Sequence, residues 1–341
     1  MKRFSIIFFV LVFIVAGFFY VVKHQENGYR SYERQRVLMG TLFKIKVFGK
    51  GLSKKKFTEV TESAFSEIAR LESEMSEWLP DSQISLIARF AGIRPVKVSD
   101  DVADIIARSL VISRQTGGTF DISFKPLGYL WNIGKRKAPP GNSEIQNARK
   151  LVGYQKIILN KIKKTVFLKQ SGMSIGLGGI AKGYAAGKIA DKMREAGINN
   201  FIINAGGDLY FSGTKAEKAW ICGIKEPDDN DDIIGRFKIK TDCAVATSGN
   251  YERFFIYKGK RYHHIIDPRT GYPATGMKSV TVFSRNPACA DAFATSFFIL
   301  GYEKSLRIVQ GGKQNIAFIM IDENNRILKS KNISVFAESV N

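Results

Sequence analysis

The alternation of apolar and polar positions along the chain predicts most of its elements. Residues 39–49, MGTLFKIKVFG, alternate with the period of two expected of a strand. Across residues 53–77 the period lengthens, and Phe57, Val60, Ala64, Ile68 and Leu71 form one helical face. Asp81 is a suitable cap for a short helix in DSQISLIARF. A third helix is expected over 99–116, with Val102, Ile105, Ile106, Leu110 and Ile112 inward and a stop at Gly117-Gly118. TGGTFDISFKPLGYLWNIG has no clear period, and KRKAPPGNSE suggests a surface excursion. Short strands follow near 155–159 and 164–168. IGLGGIAKGYAAGKIADKMREAG is a glycine-rich turn leading into a helix, and FIINAGGDLYFSG is strand, tight turn, strand. Further strands are expected near 218–225, 234–241, 244–248, 252–257, 261–266, 315–321 and 326–329, with a helix starting near Ala288. Strands and helices alternate irregularly and no internal repeat is evident. The pattern predicts an α+β fold with a mixed or antiparallel sheet.

The N-terminus differs. Lys2 and Arg3 precede residues 4–22, FSIIFFVLVFIVAGFFYVV, which carry no charge. A helix of that length spans about 30 Å of hydrocarbon, and the leading cations favour a cytoplasmic N-terminus. A cleaved signal peptide competes with this reading. The apolar run is long for one, however, and Ala16 and Gly17 make a poor cleavage site. No cysteine follows that could carry a lipoprotein anchor. The expectation is a retained single-pass anchor in the inner membrane over residues 1–22, with the remainder on the periplasmic side. Residues 23–34 are polar and are expected to form a tether.

Composition changes the picture little. The 341-residue chain is 45% hydrophobic and 24% charged, enough for a sizeable core. Its net charge of +21 raises nucleic acid, anionic lipid and anionic small ligands as partners. The cations are scattered, with the densest runs at Lys54-Lys55-Lys56 and Lys135-Arg136-Lys137. No helix-turn-helix, zinc-finger spacing or basic stripe interleaved with aromatics accompanies them, so nucleic acid is not an expected partner. Cys222, Cys243 and Cys289 form no CxxC pair, which argues against a disulfide framework or a cysteine metal site.

Candidate chemistry lies in three places. Asp291 and Thr295 stand four apart on an otherwise apolar helix, so their oxygens share one line. Such a pair suits a hard cation such as Mg²⁺, although a capping Asp and a Thr bonded to its own helix would look the same. Gly176, Gly178 and Gly179 precede a helix that carries Lys182, an arrangement suited to an anion. It matches neither the Walker A nor the dinucleotide GxGxxG pattern. His263 and His264 end an apolar strand before the turn DPRTG, so one ring points inward and the other outward.

MGT, TGGTFDISFKPLGYLW, GGIAKGYA, NAGGDLYFSG, ATSGNYERFF, HHIIDPRTGYPA and ADAFATSFFILG follow in this order over residues 39–301. Together they resemble the FAD:protein FMN transferase (ApbE-like) family, over essentially the whole soluble region. The resemblance implies a T-fold-like flavin transferase domain over residues 35–341, packed helices included. It implies Mg²⁺ and FAD, the latter as substrate. FMN would pass through its phosphate to a Thr or Ser of an acceptor protein, such as a membrane redox complex subunit, with release of AMP. Some family members instead hydrolyse FAD to FMN and AMP, and a non-catalytic FAD binder is a further alternative. The implied metal ligands are Asp291, Thr295 and the backbone carbonyl of Ala181. The implied flavin contacts are Met39, Trp78, Thr119, Phe120, Asp121, Lys182 and His264, with His264, then Asp121, as candidates for proton transfer. Two positions depart from the family. Gly176 stands where Asp is common, which removes a polar group from the ligand's surroundings. Ala88 stands where Asn is common, at a position that bears on transfer against hydrolysis.

Overall fold

The computed structural model describes residues 24–26, 28–228, 232–312 and 315–340. The apolar run 4–22, and with it the expected anchor, lies outside the described residues. Among the described residues no helix is long and apolar enough to cross a membrane.

The centre is a nine-stranded sheet. Its spatial order is His24–Glu26, Tyr29–Leu38, Thr41–Lys50, Phe201–Ala205, Asp208–Ser212, Cys243–Gly249, Met277–Ser284, Ile316–Asp322 and Ile327–Lys329. Every strand is antiparallel to its neighbour. Period-two alternation sorts the side chains onto two covered faces. Ala244, Ala246, Phe318 and Met320 join the core beneath helices Lys54–Met75, Ala181–Glu195 and Pro287–Leu300. Cys243, Val245, Ala317 and Ile319 pack instead with Cys222, Ile224, Phe237 and Ile239. Those residues belong to a three-stranded sheet of Ile221–Lys225, Ile233–Ile239 and Ala337–Val340. Burial on both faces explains why IAFIMID, residues 316–322, shows no alternation: every position is buried.

Two tight turns lie side by side at one end of the sheet. Met39-Gly40 joins its strands with both residues at positive φ, 52° and 70°, as a two-residue hairpin of this kind demands. Gly206-Gly207 makes the turn between Phe201–Ala205 and Asp208–Ser212. The Gly206 N–H donates to the Leu42 carbonyl at 3.1 Å, and a Cβ on Gly206 would lie 2.0 Å from Thr41 Oγ1. The MGT and NAGGD segments therefore meet, and only glycine lets them approach so closely.

Several elements differ from the sequence expectation. Strand Tyr29–Leu38 takes in residues 29–34, which polarity assigns to the tether. Its polar residues are paired rather than solvated: Arg34 is buried and meets Glu62 at 2.5 Å. Ser82, not Asp81, caps helix Gln83–Arg89, accepting from the Ser85 N–H at 3.0 Å. Helix Lys125–Trp131 arises within the aperiodic stretch, with a proline in its first turn, where its missing N–H costs nothing. Helix Asn142–Lys150 buries only Ile145, too little apolar surface to show a period.

Candidate active site

The Asp291 stripe meets the glycine-rich bend. Helix Pro287–Leu300 is capped by Asn286, whose side chain accepts from the Cys289 N–H at 3.1 Å, so Asp291 is not a cap. Ser296 bonds back to the Ala292 carbonyl at 2.6 Å, whereas the Thr295 hydroxyl lies 3.3 Å from Ser248 Oγ. Asp291 Oδ2 accepts from the Gly183 N–H at 3.1 Å, and both its oxygens lie 3.4 Å from Lys182 Nζ. A Cβ on Gly179 would lie 3.5 Å from Thr295 Oγ1 and 3.5 Å from the Phe120 ring. The two helices cross tightly, and a Cβ on Gly183 would lie 2.2 Å from the Pro287 carbonyl oxygen.

Asp208, next to the Gly206-Gly207 turn, reaches the same Lys182 Nζ at 3.1 Å. Burial opposes the Lys182 charge, but Asp291 and Asp208 outweigh it and hold its pKa above the ordinary value. Burial pushes the Asp291 carboxyl up; Asp208 adds to the rise, while Lys182 and the Gly183 N–H resist it. Asp291 and Asp208 thus share the charge of Lys182, which leaves the cluster short of positive charge. The donors are a carboxylate and hydroxyls, hard oxygens that fit Mg²⁺. A diphosphate could approach these carboxylates only with further positive charge between them.

Ala181, whose carbonyl the resemblance implies as a metal ligand, lies two residues after Gly179 in the bend that approaches Thr295. Ala181 is the first residue of helix Ala181–Glu195, so its carbonyl belongs to the helical ladder. The Leu177 and Ile180 carbonyls accept from Ala181 and Tyr184, and the Gly178 carbonyl lies 3.4 Å from Lys182 Nζ. The Gly183 N–H, which would otherwise turn back to Gly179, donates to Asp291.

The other expected ligand contacts fall around this cluster with unequal freedom. Met39 is held in the left-handed region at the turn beside Thr41 and Gly206, a strained position for a residue with a Cβ. Thr119 is buried, with its hydroxyl on the Thr116 carbonyl at 3.0 Å. Asp121 is also buried. Its Oδ1 accepts from the Ser123 N–H and hydroxyl at 2.8 and 2.6 Å, and its Oδ2 from the Tyr154 N–H at 2.7 Å. Burial raises its pKa against these donors, and its oxygens are engaged in shaping the loop that carries Phe120. Trp78 is 73% exposed and stands edge-on to Tyr129, with Lys125 Nζ 3.9 Å from its ring centroid.

The two histidines separate as the strand period predicts. His263 is buried: its Nε2 lies 2.8 Å from the Ala274 carbonyl, its Nδ1 accepts from the Ile265 N–H, and its ring stands on Phe298. His264 is exposed, with Nδ1 3.3 Å from the Arg253 carbonyl. A carbonyl only accepts, so Nδ1 carries the hydrogen there and Nε2 is left as the acceptor. Desolvation by the surrounding protein lowers the His264 pKa, and His263, Arg253 and Lys182 add repulsion, so the ring is neutral at pH 7.

Burial likewise lowers the His263 pKa from its ordinary 6.5. Below that value the unfolded chain binds a proton that the folded ring refuses, so stability falls as pH falls. Thermal unfolding should shift to lower temperature between pH 7 and pH 5, with a shallower shift in His263→Gln. An unchanged slope in that variant would remove His263 as a source.

Sequence pattern marks Asp208 only as the residue after a turn, and Ser248 only as part of ATSGN. Both reach the site through sheet pairing, which no local period reveals. Glu77, beside Trp78, carries no sequence signal, and Lys125 shows only as part of TGGTFDISFKPLGYLW.

The ApbE family profile matches residues 39–320. A protein of Treponema pallidum named FAD:protein FMN transferase is 34% identical over 300 residues, covering 82% of each chain. One of Klebsiella pneumoniae with the same name is 34% identical over 304 residues, covering 88% of this chain and 92% of that one. The crystal structure of the ApbE protein of Thermotoga maritima superposes with a TM-score of 0.81 at 29% identity, covering 90% of this chain and 99% of that one.

Proposed function

The chain belongs to the ApbE family, and on that footing we propose that it transfers FMN from FAD to a Thr or Ser hydroxyl of an acceptor protein, releasing AMP. The observation that supports this most is the meeting of the Asp291–Thr295 stripe, Lys182, Asp208 and the Gly179 bend at one end of the sheet. Hard oxygens, an ammonium and close-approach backbone in one place suit a diphosphate and a divalent cation, which supports the reading.

Asp291 and Thr295 would hold Mg²⁺, with the backbone carbonyl of Ala181. When bound, the ion neutralises charge on the diphosphate oxygens. The acceptor oxygen attacks the phosphorus of the FMN half, the bond to the bridging oxygen breaks, and AMP leaves with that electron pair. His264 Nε2 takes the hydroxyl proton. Lys182 faces the developing charge. Asp121 holds the loop of Phe120 and is the second candidate for the proton. Water in place of the acceptor gives FMN and AMP by the same displacement, and excluding it is the acceptor's task. We further propose that residues 1–22 anchor the domain on the extracytoplasmic face, where subunits of membrane redox complexes would be within reach as acceptors.

Incubation with FAD, Mg²⁺ and a candidate acceptor, followed by mass spectrometry, tests the reading. One FMN should appear on a single Thr or Ser, with an equal amount of AMP. AMP without a labelled protein would make the chain a pyrophosphatase, and retained FAD without AMP a binder. His264→Gln should slow transfer by about 10²- to 10⁴-fold, the usual worth of a general base, while FAD affinity changes little. An unchanged rate would take the proton elsewhere.

A further inference from the structure

The missing side chain at position 176 is answered from another element. Gly176 is buried, and a Cβ built on it would lie 2.4 Å from Glu77 Oε2 and 3.2 Å from Lys125 Cδ. The Glu77 carboxylate, arriving from the loop after helix Lys54–Met75, thus stands where a residue-176 side chain would begin. Its Oε1 pairs with Lys125 Nζ; the two side chains are 18% and 5% exposed. Its Oε2 is buried and has no hydrogen-bond partner among the described residues. A buried carboxylate oxygen without a donor is costly, which is why such an atom points to a donor that arrives with a ligand.

The surroundings specify that donor. Lys125 Nζ lies 3.9 Å from the Trp78 ring centroid and 4.2 Å from that of Tyr129, so the ion pair sits beneath an exposed aromatic face. Gly176 is three residues from Gly179, where an added Cβ would lie 3.5 Å from both Phe120 and Thr295. A planar heterocycle lying on Trp78 would bring its edge to Glu77 if its phosphate tail ran toward the glycine bend. The isoalloxazine ring of FAD has one edge N–H, the imide at N3.

We propose that Glu77 Oε2 accepts a hydrogen bond from the flavin imide N3–H, supplying in this chain the contact that Gly176 cannot. The inference rests on the flavin reading above. Lys125 holds the carboxylate in place, and Trp78 sets the plane of the ring. Gly176 and Glu77 form a complementary pair: a carboxylate at 176 would occupy the space that Glu77 now fills.

Equilibrium binding, followed by flavin fluorescence, tests this with FAD and with FAD methylated at N3. Wild-type protein should bind the methylated ligand about 10- to 100-fold more weakly, the worth of a hydrogen bond to a charged group. Glu77→Ala should weaken FAD binding by a similar factor and no longer distinguish the two ligands. Glu77→Ala/Gly176→Asp restores a carboxylate and a partner for Lys125, and should recover both affinity and discrimination. Equal wild-type affinity for the two ligands overturns the proposal without any variant, so a poorly folding Glu77→Ala does not shelter it. Undiminished discrimination in Glu77→Ala would overturn it as well. Failure of the wild type to bind FAD at all would instead sink the flavin reading itself.

Discussion

Asp291→Asn should lower AMP release from FAD by at least about a hundredfold in a protein that still folds, the scale seen when a positioned charge-stabilising group is removed. The argument rests on what asparagine keeps and what it loses. Its side-chain oxygen can still accept from the Gly183 N–H, which Asp291 takes at 3.1 Å, so the helix crossing survives. The variant also removes a buried negative charge, and Lys182 retains Asp208 at 3.1 Å as partner. Stability is therefore expected to hold, and a thermal melt checks it. What is lost is the anionic oxygen beside Thr295, without which a divalent cation has no charged ligand on that stripe. Wild-type AMP release from the variant would show that Asp291 serves packing only.

The second large effect concerns Gly183. Replacement by alanine puts a Cβ 2.2 Å from the Pro287 carbonyl oxygen, 2.6 Å from its carbon and 2.9 Å from Ala288 Cα. All three atoms are backbone, so no side chain can swing aside and the two helices must separate. Overpacking of this kind costs about 3 kcal/mol, the upper part of its usual range. In a domain of this size that lowers the melting temperature by roughly 5 °C. Separation also pulls Asp291 from the Gly183 N–H and from Lys182, so AMP release should fall with stability. Gly187→Ala, one turn on, is the control. Its Cβ would meet only the Pro287 ring, Cγ at 3.4 Å and Cδ at 3.9 Å, and alanine favours the helix by about 0.5–1 kcal/mol. Equal stability of the two variants would refute the close-crossing account.

These expectations indicate how far local pattern carries. The helix of Asp291 and the bend before Lys182 are legible because each is a local rule: period for the helix, glycine before a helix start for the bend. The division of His263 from His264 follows from strand alternation, and the structure bears it out. Strand Tyr29–Leu38 is hidden because its buried Arg34 owes its place to Glu62, a partner 28 residues away. Helix Asn142–Lys150 is hidden because it buries little. The roles of Asp208 and Ser248 depend on which strands become neighbours, and that of Glu77 on a loop packing beside Gly176. Asp121 shows the opposite limit: its place in a motif suggests chemistry, while its bonds to Ser123 and Tyr154 engage it in the loop.

The central claim is that Asp291 and Thr295 hold a divalent cation against the diphosphate of FAD. Titration of Mn²⁺, followed by its electron paramagnetic resonance signal, tests it most directly, with and without FAD. Wild-type protein with FAD should bind one ion that Mg²⁺ displaces, and Asp291→Asn should bind none at the same concentrations. Equal Mn²⁺ binding by the two proteins would contradict the account.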